Sequence, residues 1–251
     1  IMKPKVVLII QARMNSTRLP GKSLMDLAGQ PLVGRVLERV KRCKSMDEVV
    51  LATPDSASDD QLAELAEAYE VSLFRGSEND LVDRYYQAAR KYGAYYVCRL
   101  PADNPVPEPE EMDRMVAAHI KSRLDFSSNL LQVLGNGYPD GIGVEVYNFN
   151  ALEIVWKECT DPKKREHVNL SYFDYASQQP VDSRFRAGTI QCPQSFRRPE
   201  LILDVNTLEQ YEFLRQIYEY HYPKNPEFHI TDIIRWYDDV YLKTSSTQYT
   251  S

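Results

Sequence analysis

"VVLIIQARMNSTRLPGKSLMDL", residues 6–27, opens with Val6–Ile10, an unbroken apolar run rich in β-branched residues. A strand buried on both faces reads this way, and such strands belong inside parallel sheets. The apolar run stops at Gln11. Arg13, Arg18 and Lys22 follow, with Pro20-Gly21 just ahead of the last. Residues 1–25 hold Lys3, Lys5 and these three cations and no acid, although the whole chain carries a net charge of −6. A basic loop at the end of a buried strand, on an otherwise acidic protein, suits a small anionic ligand. The acidic balance argues against a nucleic-acid surface.

The rhythm beyond this segment is strand, then helix. Pro31 fits a first helical turn, and Leu32, Val33, Val36, Leu37 and Val40 make one helical stripe. Strands are predicted at 48–52, 71–74 and 95–100. A capping box is predicted at Ser58–Gln61, ahead of a helical face of Leu62, Leu65, Ala66 and Tyr69. A helix over 81–92 should end at Gly93, and another should run through Met112, Met115, Val116 and His119. Later, "DGIGVEVYNF" reads as a strand, "DPKKREHVNLSYFDYA" as a helix, and 207–221 and 231–241 as amphipathic stretches. This alternation predicts an α/β fold: a parallel sheet with helices on both sides. We expect one domain over 3–242 and a flexible polar tail at 243–251, with Ile1-Met2 a remnant ahead of the native start. Hydrophobic residues make up 43% of the 251, enough to bury a core. The four cysteines show no Cys-x-x-Cys spacing, and no apolar run approaches a membrane span. A reduced, cytoplasmic protein with free thiols, no signal peptide and no membrane contact is expected.

In such sheets ligands gather beyond the carboxyl ends of the strands. Three loops there carry chemistry. Gln11–Lys22 has neither Walker A nor Gly-x-Gly-x-x-Gly spacing. It does offer loop amides ahead of a helix, Arg13 to fork onto phosphate oxygens and Lys22 as a mobile point charge. "PADNP", 101–105, places Asp103 just past a strand, where it could hold Mg²⁺ or simply cap a turn. "LILDVNT", 201–207, repeats the pattern with Asp204 and with Thr207 as a helix cap.

"IIQARMNSTRLPGKSL" resembles the opening signature of the cytidylyltransferase-like proteins named for spore-coat polysaccharide biosynthesis protein F, relatives of the acylneuraminate and deoxy-octulosonate (Kdo) cytidylyltransferases. The resemblance covers about residues 5–240. It extends through "ATPDSASDD" (52–60), "FRGSENDLVDRYYQAA" (74–89), "RLPADNP" (99–105), "REHV" (165–168) and "LILDVNT". It implies a mixed, mainly parallel sheet flanked by helices, in a Rossmann-type fold of the nucleotide-diphospho-sugar transferase, GT-A-like kind. It also implies a CTP- and Mg²⁺-dependent enzyme that passes CMP to an acidic sugar or a phosphate or phosphonate acceptor in polysaccharide synthesis. A homodimer is expected. Carried onto this chain, Gln11, Ala12, Arg13, Ser16, Lys22 and Ala102 would bind the nucleotide. Lys22, Arg13 and Asp103 would serve catalysis, and Asp103 and Asp204 would hold the metal. Ala102 stands where Gly is frequent, and Glu209 where a further Asp is frequent.

The acceptor end rests on "DPKKREHVN", which brings Arg165, Glu166 and His167 together, and on Glu145, expected to face the pocket because Val144 and Val146 take the opposite face of their strand. A nucleotide-sugar glycosyltransferase of the same fold is a rival reading, weakened by the absence of any Asp-x-Asp. A non-catalytic nucleotide-binding protein is another.

Overall fold

A computed structural model describes residues 3–247. Ile1-Met2 and the end of the expected tail, 248–251, lie outside the described residues. The sheet is built from β1 (Val6–Gln11), β2 (Glu48–Pro54), β3 (Ser72–Gly76), β4 (Tyr96–Pro101), β5 (Phe126–Ser128), β6 (Glu145–Asn148) and β7 (Ala187–Gly188). Their spatial order is β7-β5-β6-β4-β1-β2-β3. β1 pairs in parallel with β2 and β4, and β2 with β3. β6 runs antiparallel to both neighbours, β4 and β5, so the sheet is mixed and mainly parallel, as expected.

Helices cover both faces because β1 is apolar on both. Val6, Leu8 and Ile10 enter one core with α1 (Leu32–Val40), α2 (Asp60–Ala68), α4 (Pro109–Ser122), α7 (Leu208–His221) and α8 (Ile230–Trp236). Val7 and Ile9 enter the other, against α3 (Leu81–Lys91) and α5 (Phe149–Glu158). The α1 stripe is fully buried, with Pro31 at its N-cap. Among the described residues no helix is long and apolar enough to cross a membrane, and all four cysteines are free thiols.

Three expectations need correction. Ser58 caps nothing: Asp59 is the N-cap of α2, without a side-chain cap bond. Its buried carboxylate instead accepts from the Ser56 and Ser58 hydroxyls and from the Met14 N–H (2.8 Å), stapling the basic loop to the start of α2. Second, 161–176 is not one helix. α6 covers only Pro162–Glu166, a 3₁₀ turn follows at Val168–Ser171, and Phe173–Asp174 pairs with Gln179–Pro180 as a small hairpin. Aromatic packing won there, because Val168, Tyr172 and Phe173 are pulled into the core beneath α3 and α5. Third, Leu201–Asp204 joins no strand of the sheet and makes one isolated bridge, Ile202 to Asp140. Towards the end of the described residues, α9 spans Leu242–Thr247, following a π-turn at Tyr237–Tyr241. The Thr207 cap is present in full, as a capping box with Gln210.

Candidate active site

The carboxyl ends of β1 and β4 lie side by side, with Gln11 opposite Pro101. Above them opens a cavity of about 430 Å³ into which the opening loop, the loop after β4 and the segment around Asp204 converge. Lys22 joins all three. Its Nζ donates to Asp103 Oδ2 (2.6 Å), to the Val205 carbonyl (2.7 Å) and to Asn206 Oδ1 (3.4 Å). Val205 N–H donates to the Asp103 carbonyl (2.8 Å), so the two acidic segments are also tied through their backbones.

The loop holding Lys22 is not followed directly by a helix. Gly21, at φ +73°, leads into a single 3₁₀ turn, Lys22–Leu24, and a small hairpin precedes α1. Any amide donors to an anion would therefore come from the loop alone, and those of Met14, Ser16, Gly21 and Lys22 are already used within the protein. Ala12 N–H is used by the Ala52 carbonyl, and Ala102 N–H by that of Gln11. Ala12 and Ala102 thus shape the cavity wall without offering a donor. Ser16 and Arg18 also line the cavity, with Arg18 exposed. The Arg13 guanidinium lies 3.8 Å from the Glu166 carboxylate.

Three aspartates line the same cavity, one of which the sequence reading missed. Asp140 sits in the turn "YPDGIG" and lines the cavity with Asp103 and Asp204. Burial, with the charges of Asp204 and Asp103 close by, pushes it up to about 7. Burial and the Asp103 charge raise Asp204 too, opposed by its hydrogen bond from Asn206 and by Lys22. Asp204 Oδ1 is buried without a hydrogen-bond partner among the described residues. Such an orphaned anionic oxygen is costly unless something cationic meets it. Among the described residues no three His, Cys, Asp or Glu side chains close into a metal cage. Mg²⁺ asks for less: one or two carboxylates, completed by substrate phosphates and water. Asp103 and Asp204 fit that demand.

The acceptor residues divide. Glu166 and His167 line the exposed mouth of the cavity. Arg165 does not line it, because its guanidinium is held by Asp80 (2.6 Å) and by the Trp156 and Cys159 carbonyls. Glu145 also turns out not to face the cavity. The antiparallel pairing of β6 with β4 sets it against Arg99, which donates to it at 2.6 Å. Tyr147 and Asn169 donate to the same carboxylate, which is fully buried. Arg99 and Asn169 are the residues of this network that reach the cavity. Both stand inside stretches quoted above, "RLPADNP" and "DPKKREHVN", but the sequence assigns neither a role, since their partners lie far away in the chain.

Comparison with known proteins now bears on this geometry. A cytidylyltransferase sequence profile matches residues 7–230. The chain belongs to the cytidylyltransferase family. It is 33% identical over 219 residues to the spore coat polysaccharide biosynthesis protein SpsF of Bacillus subtilis, covering 85% of this chain and 86% of that one. It is 32% identical over 222 residues to a 3-deoxy-manno-octulosonate cytidylyltransferase of Chloroherpeton thalassium, covering 82% and 85%. A solved cytidylyltransferase of Leptospira borgpetersenii superposes with a TM-score of 0.83 at 31% identity, over 94% of each chain. This cytidylyltransferase is thus a nucleotidyltransferase by family and by fold.

Proposed function

We propose that this enzyme transfers CMP from CTP to an acidic sugar of the ulosonic or nonulosonic kind, or to a related phosphate or phosphonate, releasing pyrophosphate in the making of a surface polysaccharide. The observation that supports it best is the meeting of Lys22, Asp103 and Asp204 in one cavity, from segments 81 and more positions apart. The names of the SpsF and 3-deoxy-manno-octulosonate relatives point to the acceptor class.

In this reading an acceptor oxygen attacks the α-phosphorus in line. The bond from the α-phosphorus to the oxygen bridging it to the β-phosphate breaks, and pyrophosphate leaves with that electron pair. Placement and charge neutralisation do most of the work. Arg13 forks onto the outer phosphates, and the free amides of the opening loop add donors. Lys22, already anchored by Asp103, holds its ammonium where charge builds on the departing pyrophosphate. Ser16, Ala12, Gln11 and Ala102 line the nucleotide end. Mg²⁺, held by Asp103 and Asp204, would polarise the α-phosphate and screen it from the attacking oxygen. Glu166 and His167, at the mouth, meet the acceptor's polar groups. We read the enzyme as a cytoplasmic homodimer.

The test is pyrophosphate release from CTP and Mg²⁺ across a panel of 3-deoxy-manno-octulosonate, N-acetylneuraminate, sugar phosphates and phosphonates, with CMP-adduct formation followed by mass spectrometry. Release with at least one acidic acceptor, and none with neutral sugars, is expected. Turnover of neutral sugars alone, or of nucleotide sugars instead of CTP, would overturn the reading.

A further inference from the structure

Each cation around the cavity is matched with a carboxylate, or lies in solvent, except one. Lys22 pairs with Asp103, Arg99 with Glu145, and Arg13 approaches Glu166. Arg18 is exposed. Arg84, on α3, is only 2% exposed and forms no ion pair among the described residues. Its Nε donates to the Ser77 carbonyl (2.7 Å) and its Nη2 to that of Glu78 (3.0 Å). Nη1 makes no hydrogen bond among the described residues, yet Arg84 lines the cavity.

A neutral amide could hold two backbone carbonyls. A guanidinium taken out of water without a counter-ion costs several kcal/mol, roughly, and side chains of this kind are rarely kept buried unpaired. Arginine does not escape the cost by losing its proton. Burial, with the Arg13 charge near it, acts against the charged form, and the Asp59 and Glu78 carboxylates, near the guanidinium but not paired with it, offset this only in part. Two guanidiniums that repel each other beside a cavity are relieved together by a polyanion. A lone carboxylate would relieve one of them.

We propose that Arg84 is a further substrate-binding residue, and that its free Nη1 edge, beside Arg13, takes a phosphate oxygen of the nucleotide. This rests on the CTP reading above. α3 then does more than pack: it presents a rigid, pre-oriented donor from beneath, while the opening loop supplies Arg13 and Lys22 from above. The arrangement places the phosphate chain between a helix and a loop, and it fixes where charge can sit before any acceptor arrives.

Calorimetry on the intact protein tests this, with CTP and inorganic tripolyphosphate as probes and with cytidine followed by saturation-transfer NMR. Arg84→Gln keeps a donor for the two carbonyls and removes the charge. It should weaken CTP and tripolyphosphate binding by roughly tenfold or more, the worth of a charge-assisted hydrogen bond, and leave cytidine binding unchanged. Arg84→Lys should fall between the two. Unchanged CTP and tripolyphosphate affinity in both variants would overturn the proposal. So would equal loss of cytidine, which would mark Arg84 as structural. Wild-type protein that binds neither CTP nor tripolyphosphate would instead overturn the CTP reading on which the proposal stands.

Discussion

Lys22 is both a candidate catalytic cation and a structural tie. With 12% of its side chain exposed, it holds Asp103 and two groups of the 205–206 segment at once. Lys22→Ala should therefore do two things. Turnover should fall roughly 10²–10³-fold, the size of losing one preorganised electrostatic partner. The melting temperature should fall as well, because Asp103, Asp140 and Asp204 then face each other unneutralised. A variant with wild-type turnover in a pyrophosphate-release assay would remove Lys22 from the reaction. Asp140 gives a pH signature. Its folded-state value of about 7 lies above the ordinary carboxyl value of about 3.9, so the native chain binds a proton that the unfolded chain does not. Its contribution to stability is greatest below about pH 4 and is lost as pH rises towards about 7. Asp140→Asn should remove that loss. Urea midpoints at several pH values should show the variant gaining on wild type between pH 5 and 8, and a gap that stays constant with pH would contradict the assignment.

At the scale of elements, two loop contacts set the site. Gly141 follows Asp140 at φ +99°, where an L side chain is strained. A Cβ there would lie 2.8 Å from Asn104 Oδ1 and 3.1 Å from the Leu203 backbone. This glycine is what lets the Asp103, Asp140 and Asp204 segments close on one another. Gly141→Ala should cost activity as well as stability, and a crystal structure of the variant should show the 201–206 segment moved off the rim. The other contact is Asp59, buried beneath the opening loop and accepting from Met14 N–H. Asp59→Ala should free the loop, raising the KM for CTP more than it lowers kcat. Steady-state kinetics in which kcat alone fell would point away from a positioning role.

For the molecule as a whole, ligand binding and folding are coupled through the three converging segments. CTP with Mg²⁺ should raise the melting temperature more than ATP, GTP or UTP at equal concentration. The gain would be about 2.7 kcal/mol of stability at a hundredfold excess over Kd. Equal shifts for all four nucleotides in differential scanning fluorimetry would count against cytidine selectivity. The sheet itself should be insensitive to site substitutions, since β1 is sealed in cores on both faces.

Local periodicity was enough to specify β1–β4, the helices between them and the α/β class, because a strand apolar on both faces has few other places to go. It also marked Arg13, Lys22 and Asp103, since a strand end followed by charge is a local signal. Three further things were decided by tertiary structure. Asp204 reached the rim through a lone bridge to the Asp140 turn and a backbone bond to Asp103, not as a strand end. Glu145 went to Arg99 because β6 runs antiparallel, a direction that its own four residues do not encode. Arg165 was taken by Asp80, Arg84 was left without a counter-ion, and Asp140 rose in affinity for its proton, all through partners distant in the chain. Periodicity is a property of neighbours in sequence, whereas the charge balance of a cavity depends on which loops the fold brings face to face.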